Sequence, residues 1–323
     1  MTGDVNRLLR DAAEGHRGAV ARLITVLERG DDAARALSAR LPALPEAVHL
    51  IGVTGAPGAG KSSLTGHLLN VLVADGARPA VIAVDPSSSV TGGAILGDRV
   101  RMPGAPPAAL VRSMATRGWH GGLAVAVPAT ARLLALAGFG PVIVETTGVG
   151  QVEVDIAAAA DTTILVTASG WGDAIQANKA GLLELADLLV VNKADLPGAR
   201  EAHRDLEAML DMGELTGLAR RGGAPRPQVL LADSVHGTGV AEVARAVAAH
   251  RRHLTSNGGL PDRRRRQLLL EVTGLVEQRL RALADAAIRS AGGEETMRQL
   301  TAGHIPPGEA ARRLVALVDP TAG

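Results

Sequence analysis

The stretch of residues 49–64 constrains the fold of this chain more than any other part of the sequence. An apolar run ending at Thr54 predicts a buried strand, and a helical pattern follows from Ser63. The segment between them fits G-x-x-x-x-G-K-[ST] without a mismatch, which is typical of a phosphate-binding P-loop. Its glycines let backbone N–H groups and the positive end of the helix face a chain of phosphates. The residues expected to contact a nucleotide here are Gly55, Ala56, Pro57, Gly58, Ala59, Gly60, Lys61, Ser62 and Ser63.

Lysine is rare in this chain and marks candidate functional positions. Of 34 basic residues only three are lysine, namely Lys61, Lys179 and Lys193. A composition that uses arginine almost throughout retains lysine where a compact ammonium group is needed and a planar guanidinium would not fit. Lys61 is therefore expected to reach the β- and γ-phosphates, and the hydroxyl of Ser62 to hold magnesium.

The composition excludes several classes of protein. The chain has 323 residues and no cysteine, so it can bury a large core but offers neither disulfides nor a thiolate metal site. Its 34 basic and 33 acidic residues leave no broad basic surface for nucleic acid. No apolar run has the roughly 20 residues that a membrane span needs, and the N-terminal region is polar where a signal peptide would be apolar. We therefore expect a cytoplasmic protein without a nucleic-acid or membrane partner.

Strand-like and helical segments alternate from about residue 48 to residue 250. This alternation predicts an α/β fold in which helices wrap a mostly parallel sheet. The predicted strands are residues 49–54, 79–84, 142–145, 162–166, 188–191 and 228–231.

Helical segments are predicted on both sides of this region. Two amphipathic helices are predicted within residues 6–40. After a predicted loop at residues 256–261 come a long helix to about residue 291 and a short helix near residues 307–318. The expected division is an N-terminal helical extension at residues 1–45, a P-loop domain at residues 46–255 and a C-terminal helical region at residues 256–323.

Two predicted strands end in a carboxylate. Ligands of open parallel sheets bind outside the carboxyl ends of the strands. Asp85 is therefore expected to reach magnesium directly or through water. The alternative is that its side chain caps the next secondary-structure element. Glu145 ends another strand, and Gly148 can bring its N–H to a γ-phosphate. Residues 86–102, which include Asp98, have the composition of a mobile switch that senses the γ-phosphate, and equally that of a surface loop.

The segment of residues 188–195 has the pattern of a base-reading element. Asp195 can accept two hydrogen bonds from N1 and the amino group of guanine, whereas adenine offers no such pair of donors. Asn192 is expected to contact the base edge and the stem of Lys193 to pack on the ring. The last guanine contact is expected near Ser234. A helix cap would also use Asn-x-x-Asp, but after a P-loop the pattern favours GTP.

Four longer motifs resemble those of the MeaB/ArgK-type P-loop GTPases, which chaperone adenosylcobalamin-dependent acyl-CoA mutases. They are VDPSSSVTGGAILGDRVRM at residues 84–102, RSMATRG at 112–118, ETTGVGQVEVD at 145–155 and GDAIQANKAG at 172–181. The resemblance is close from about residue 44 to residue 195. The sequence departs from the family pattern at Trp119-His120, Trp171, Ala174 and Asp233-Ser234.

The resemblance implies magnesium-dependent hydrolysis of GTP to GDP and phosphate. It implies that Lys61, Asp85, Asp98 and Glu145 gather around magnesium and the phosphates, and that residues 169–179, with Lys179, form a third switch. Ser62, Asp85, Asp98 and Glu145 are thus the expected metal site, and Lys61, Asp98, Glu145 and Lys179 the expected catalytic set. One implied partner is a B12-dependent acyl-CoA mutase, whose subunits this chain would assist in cofactor loading and in protection or reactivation. The other implied partner is a second copy of the chain, which would bind through a C-terminal helical dimerisation arm.

Two other functions are open alternatives. A P-loop kinase of a small molecule or protein would form a phosphorylated product rather than release phosphate alone. A nickel-delivery GTPase is disfavoured because the chain has no cysteine and no His-rich tract, and its close pair His250 and His253 encloses two arginines that would repel a cation.

Overall fold

The computed structural model describes residues 2–85, 102, 105–115, 123–146, 151–169, 185–215 and 225–318. The strands in these ranges are β1 (Leu50–Gly55), β2 (Ala80–Asp85), β3 (Leu110–Ala115), β4 (Val142–Thr146), β5 (Thr162–Thr167), β6 (Leu188–Val191) and β7 (Gln228–Leu231). They form one sheet in which all neighbours are parallel, in the order β3-β2-β4-β1-β5-β6-β7. The predicted α/β fold with a parallel sheet is therefore confirmed.

Helices precede, interleave with and follow the strands. In the described ranges they are α1 (Thr2–Ala13), α2 (Arg17–Arg29), α3 (Asp32–Ser38), α4 (Lys61–Ala74), α5 (Leu123–Leu136), α6 (Gln151–Ala159), α7 (Ala199–Leu215), α8 (Val240–Ser256), α9 (Gly259–Ile288), α10 (Ala291–Thr301) and α11 (Pro307–Val318). None of these helices has both the length and the apolar character that crossing a bilayer requires. The chain divides into two compact units, Met1–Leu269 and Leu270–Gly323, and the three-part division at residues 45/46 and 255/256 stays a prediction.

The two faces of the sheet are both buried, and alternate strand residues point to opposite faces. Leu50 of β1 belongs to a core cluster with residues of α1, α2 and α5. Ile51 and Val53 belong to a second cluster with residues of α4 and α8. Burial on both sides explains the continuous apolar runs from which the strands were predicted. The strand order places β1, with the P-loop at its carboxyl end, in the middle of the sheet.

Strand β3 is a strand that the sequence pattern did not predict. Among the strands that the structure describes, it lies at the edge of the sheet and pairs with β2 alone. Its apolar run is interrupted by Arg112 and Ser113, and Val111, Arg112 and Ala115 are only partly buried. An edge strand with mixed burial lacks the continuous apolar signal that marked the interior strands.

The N-terminal extension contains three helices where two were predicted. Gly30 ends α2 in the left-handed conformation with φ 64°. Asp31 then caps α3, because its Oδ1 accepts a hydrogen bond at 2.9 Å from the backbone nitrogen of Ala34. This Gly-Asp step separates two helices whose combined pattern resembles one interrupted helix.

The C-terminal region also differs from its prediction. The predicted loop at residues 256–261 is shorter, because α9 begins at Gly259 and contains Pro261 in its first turn, where the missing N–H costs no helical hydrogen bond. Helix α10 was not predicted. Its cap is Ser290, whose Oγ accepts a hydrogen bond at 3.2 Å from the backbone nitrogen of Gly293, and the paired glycines Gly292 and Gly293 obscure the helical pattern.

Candidate nucleotide site

The P-loop connects the carboxyl end of β1 to the first residue of α4, Lys61. Gly55 has φ 140°, and a Cβ atom there would lie 2.0 Å from the carbonyl oxygen of Val166 in β5. Gly60 has φ 89°, and its Cβ would lie 2.2 Å from Nδ2 of Asn192. Backbone shape and close packing therefore both require glycine at these two positions. Of the other predicted contacts, Ala56 and Ala59 are buried, whereas Pro57, Gly58 and Ser63 are exposed.

The Lys61 ammonium group lies inside the loop. Its Nζ donates hydrogen bonds of 2.8 Å to the carbonyl oxygens of Gly55 and Ala56, and the residue is only 5% exposed. A cation held at this point adds a positive charge to the backbone N–H groups of the turn and the amino end of α4, so the loop has the electrostatics of an anion site.

A hydroxyl and a carboxylate meet directly beside the loop. Oγ of Ser62 donates a hydrogen bond to Oε1 of Glu145, which is buried at 1% exposure. Behind this pair, the hydroxyls of Thr146 and Thr54 lie 3.3 Å apart, which joins β4 to β1. Hydroxyl and carboxylate oxygens are ligands that magnesium prefers, so this donor set fits the predicted metal.

Asp85 is the last residue of β2, next to β4 in the sheet. Ala83 and Val84 are the register partners of Glu145 and Thr146, and Asp85 follows directly. The backbone of Asp85 is thus at the same edge of the sheet as the Ser62–Glu145 pair.

Asn192, which follows β6, joins the base-reading segment to the P-loop. Its Nδ2 donates to the carbonyl oxygen of Ala59 at 2.7 Å and to Oγ of Ser234 at 2.8 Å. Its Oδ1 accepts from the backbone nitrogen of Ser234 at 3.1 Å, and the residue is fully buried. The side chain predicted to contact the base edge therefore lies here as a brace between two loops, a role that the sequence did not indicate.

The two other base-reading residues differ in exposure, since Lys193 is partly buried and Asp195 is exposed. Lys193 has φ 58°, the one positive φ among the non-glycine residues that the structure describes. Asp195 is exposed, so its carboxylate is accessible to a ligand.

The turn at residues 233–239 is organised by a carboxylate. Oδ1 of Asp233 accepts hydrogen bonds from the backbone nitrogens of Val235 at 2.9 Å and His236 at 3.2 Å. Its Oδ2 lies 2.5 Å from Nδ1 of His236. The hydrogen bond with His236 lowers the pKa of Asp233, and the same contact raises the pKa of His236. Asp233 thereby fixes the turn that presents Ser234 to Asn192.

Several predicted site residues lie outside the described residues. They are Asp98, Gly148 and Lys179. Trp119, His120, Trp171 and Ala174, where the sequence departs from the family pattern, also lie outside the described residues. The backbone of Asp85 is described, whereas its side chain is not.

A second polar cluster lies at the opposite, amino-terminal ends of β5 and β6. Nη2 of Arg264 lies 2.9 Å from Oδ2 of Asp161, which is fully buried. Arg263 binds both carboxylate oxygens of Asp187, at 2.6 and 2.8 Å. The run of four arginines at residues 263–266 therefore contributes its first two members to the nucleotide domain's own structure. The signal that could have indicated this is an aspartate directly before each of the two strands.

Charge pairing in this cluster outweighs burial. Burial acts to raise the pKa of Asp161, but the hydrogen bond and positive charge of Arg264 hold it below its ordinary value. Burial likewise opposes ionisation of Asp187, and contacts with His250 and Arg263 lower its pKa to about 2. Both aspartates are therefore ionised at neutral pH, which a buried carboxylate tolerates only with such partners.

Comparison with known proteins places the chain among related GTPases. A family model described as methylmalonyl Co-A mutase-associated GTPase MeaB matches residues 20–289. A putative GTPase of Pyrococcus abyssi is 39% identical over 309 residues, which cover 95% of this chain and 94% of that protein. A fused isobutyryl-CoA mutase of Geobacillus kaustophilus is 36% identical over 218 residues, which cover 64% of this chain and 20% of that protein. A crystal structure described as a LAO/AO transport system kinase matches with a TM-score of 0.66 at 26% identity, covering 98% of both chains.

Proposed function

The chain belongs to the MeaB family of methylmalonyl-CoA mutase-associated GTPases, and we propose that it is a magnesium-dependent GTP hydrolase that serves as a conformational switch for a B12-dependent acyl-CoA mutase in the cytoplasm. Its GTPase activity follows from the family. The magnesium dependence, the mutase partner and the roles of individual residues are the proposal.

The contact between Ser62 and Glu145 is the observation that carries the catalytic part. A hydroxyl and a carboxylate oxygen meet here at the start of α4, which begins at Lys61, where the phosphates of GTP would lie. Magnesium, when bound, would neutralise charge on the β- and γ-phosphate oxygens. Ser62 and Glu145 would hold the metal together with Asp85 and Asp98.

Lys61 would exchange its carbonyl contacts for phosphate oxygens when GTP binds. The two carbonyl oxygens are neutral acceptors, whereas hydrogen bonds from an ammonium to an anion are roughly twice as strong. Gly148 would add a backbone N–H to the γ-phosphate, and Lys179 would act from the third switch. Because catalysis of phosphoryl transfer consists mainly of positioning and charge stabilisation, these groups need no covalent step.

Guanine selection would depend on Asp195. Its exposed carboxylate can accept from N1 and the amino group of guanine, and adenine would leave it without donors. The Lys193 stem would cover the ring, and Ser234 would complete the pocket. Asn192 would contribute mainly by holding these segments against the P-loop, since its amide is already engaged with Ala59 and Ser234.

The proposed mutase partner is supported by a natural fusion. A protein named as a fused isobutyryl-CoA mutase includes a segment that is 36% identical to this chain over 218 residues. Two activities joined in one chain commonly act together, so a separate mutase is the partner to test. The switch would assist cofactor loading and the protection or reactivation of that enzyme.

We also propose that the chain forms a homodimer through α9. Leu268, Leu269, Val272, Val276 and Leu280 are between 51% and 60% exposed. Glu271 and Gln278, in contrast, are buried. At 100° per residue the exposed apolar residues share one face of the helix and the buried polar residues share the other. A second copy of the chain covering the apolar face would remove this surface from water.

The function is tested with purified protein and radiolabelled nucleotides. We expect GTP hydrolysis that requires magnesium, and at least roughly tenfold slower phosphate release by Lys61→Ala and Glu145→Ala. Asp195→Asn should weaken GTP and favour xanthosine triphosphate, whose C2 carbonyl can accept from the new amide. Equal binding of GTP and ATP by the unmutated protein would contradict the base assignment. Co-purification from the native cell, with identification of bound mutase subunits, tests the partner.

A kinase is the second candidate, because the structure described as a LAO/AO transport system kinase covers 98% of this chain. The same assay separates the two functions. A stable phosphorylated small molecule or protein formed from γ-labelled GTP would favour the kinase, whereas release of free phosphate alone favours the switch.

A further inference from the structure

A carboxylate of the N-terminal extension reaches the end of the edge strand β3. Oε1 of Glu28, in α2, accepts a hydrogen bond from the backbone nitrogen of Ala115 at 3.3 Å. Its Oε2 lies 3.3 Å from Nη2 of Arg112. The same guanidinium nitrogen donates to Oγ1 of Thr25 at 3.1 Å. The Glu28 side chain is only 9% exposed, so its carboxylate is largely shielded from water.

Helix α2 holds this carboxylate firmly in place. Leu23, Ile24 and Leu27, on the adjacent turn, are at most 4% exposed and belong to the core cluster beneath the sheet. An acidic side chain that close to the core is costly without hydrogen-bond partners. The contacts to β3 are therefore part of a fixed arrangement.

The point at which Glu28 touches β3 lies in register with the proposed metal site. Ala115 is the Cα partner of Asp85, the last residue of β2. On the other side of β2, Ala83 is the partner of Glu145. The carboxyl ends of β3, β2 and β4 thus lie side by side. Glu28 contacts the end of β3, and the Ser62–Glu145 pair lies at the end of β4.

We propose that Glu28 is a positioning residue of the magnesium–nucleotide site, which couples the N-terminal helices to nucleotide binding. By holding the backbone of Ala115, Glu28 holds the end of the β2–β3 ladder, where Ala115 is the register partner of Asp85. The backbone position of Asp85 would in turn determine where its carboxylate can bind magnesium. This inference depends on the proposed role of Asp85 in magnesium binding. Groups that orient metal ligands from outside commonly change metal affinity by about 10-fold to 100-fold when they are removed.

The test is the magnesium dependence of nucleotide binding, measured without turnover. The dissociation rate of a fluorescent GDP analogue from the full chain is followed at buffered magnesium concentrations and in EDTA. In Glu28→Ala and Glu28→Asp, which lack or shorten the contact to Ala115, we expect about 10-fold more magnesium for half-maximal retention and an unchanged rate in EDTA. Glu28→Gln keeps an oxygen acceptor for the Ala115 N–H and should restore most of the magnesium dependence. The matched control is Arg22→Ala, an exposed residue of the same helix.

A double variant distinguishes this inference from the proposed function. If Glu28 acts through Asp85, Glu28→Ala should add nothing to the effect of Asp85→Ala, since coupled residues are not additive. A shift in Asp85→Ala with none in the folded Glu28→Ala or Glu28→Asp protein overturns the positioning role alone. No shift in Asp85→Ala removes the magnesium role on which the inference rests. A lower melting temperature of the Glu28 variants with unchanged magnesium dependence would mean that Glu28 serves only the stability of the sheet edge, and would also overturn it.

Discussion

The amide nitrogen of Asn192 lies 2.7 Å from the carbonyl oxygen of Ala59, so the strand that carries the base-reading residues is tied directly to the P-loop. The same amide nitrogen reaches Ser234 Oγ at 2.8 Å. One buried side chain thereby sets the spacing between the segments proposed to hold phosphates and guanine.

Asn192→Ala should weaken nucleotide binding without any loss of a direct ligand contact. The substitution leaves the Ala59 carbonyl and the Ser234 groups without this partner in a buried place, where an unsatisfied polar group costs about 1–3 kcal/mol. We expect an increase of about 10-fold to 100-fold in the dissociation constant of a fluorescent GDP analogue.

The control for this variant is Asn70→Ala, an exposed asparagine of α4, which should bind GDP as the unmutated protein does. Asn192→Asp keeps the acceptor for the Ser234 N–H but loses the donor for Ala59, so its affinity should also fall. Unchanged affinity in both Asn192 variants would show that the brace does not shape the nucleotide site.

Gly60→Ala should abolish nucleotide binding because the added methyl group has no room. Its Cβ would lie 2.2 Å from Asn192 Nδ2 and 3.3 Å from Ser234 Oγ, at a φ of 89°. Gly76 has a similar φ of 83°, but nothing lies within 4 Å of its Cβ position. Gly76→Ala should therefore lose about 1 kcal/mol of stability through backbone strain alone and still bind GDP.

Isothermal titration of both glycine variants with GDP, together with their thermal unfolding, makes the comparison. Equal GDP affinities of the two variants would contradict the prediction that a Cβ at residue 60 disrupts the nucleotide site through its contact with Asn192.

The features that the sequence predicted well are local ones. β6 and β7 have the predicted bounds, Leu188–Val191 and Gln228–Leu231, because each contains a short apolar run, which in β6 lies between Asp187 and Asn192. The P-loop was also readable because its glycines and Lys61 are consecutive in the chain. Signals of this kind need no knowledge of which distant segments come together.

The features that were missed depend on long-range contacts. Asn192 and Ala59 are 133 positions apart, and Arg264 and Asp161 are 103 apart, so no pattern within a segment could pair them. The role of Asn192 as a brace therefore appears only in the folded chain. The aspartate before β5 is a local signal, but it does not identify Arg264 as its partner. β3 was missed for a related reason. Arg112 interrupts its apolar run, and the residues that accept hydrogen bonds from Arg112, Thr25 and Glu28, lie in the distant helix α2.

The partly buried His49 predicts a pH-dependent stability. Its Nε2 lies 2.8 Å from Oγ1 of Thr162. Burial lowers the pKa of His49 from 6.5 to about 3, although the charge of Asp161 acts in the opposite direction. The neighbouring groups Arg251, His250 and Arg264 lower the pKa of His49 further. His49 is therefore neutral in the folded protein over a range in which it is charged after unfolding.

The direction of the effect follows from proton counting. Between about pH 6.5 and pH 3 the unfolded state binds one more proton at His49 than the folded state, so the free energy of unfolding falls as the pH falls. The slope contributed by one such group is at most about 1.4 kcal/mol per pH unit.

Urea unfolding at several pH values between about 6.5 and 4.5 measures this slope, in a window above the usual pKa of carboxylates. His49→Gln should have a shallower slope than the unmutated protein, whereas His253→Gln, at an exposed position, should not. The same slope in all three proteins would contradict the assignment to His49.

Charges placed on the apolar face of α9 should separate the proposed homodimer. Val276 is 51% and Leu280 is 58% exposed, and the two lie one helical turn apart on the face proposed to meet a second copy. A carboxylate at either position would have to be desolvated in a dimer interface, at a cost of several kcal/mol. The double variant Val276→Glu/Leu280→Glu should therefore have the mass of a monomer in light scattering.

The matched control is Arg281→Glu, which changes charge at an exposed residue of the same helix outside that face. It should keep the mass of the unmutated protein. GDP binding distinguishes lost assembly from lost folding, because the P-loop and Asn192 belong to the unit Met1–Leu269, and the double variant should still bind GDP. A dimer that persists in the folded double variant would exclude this face of α9 as the interface.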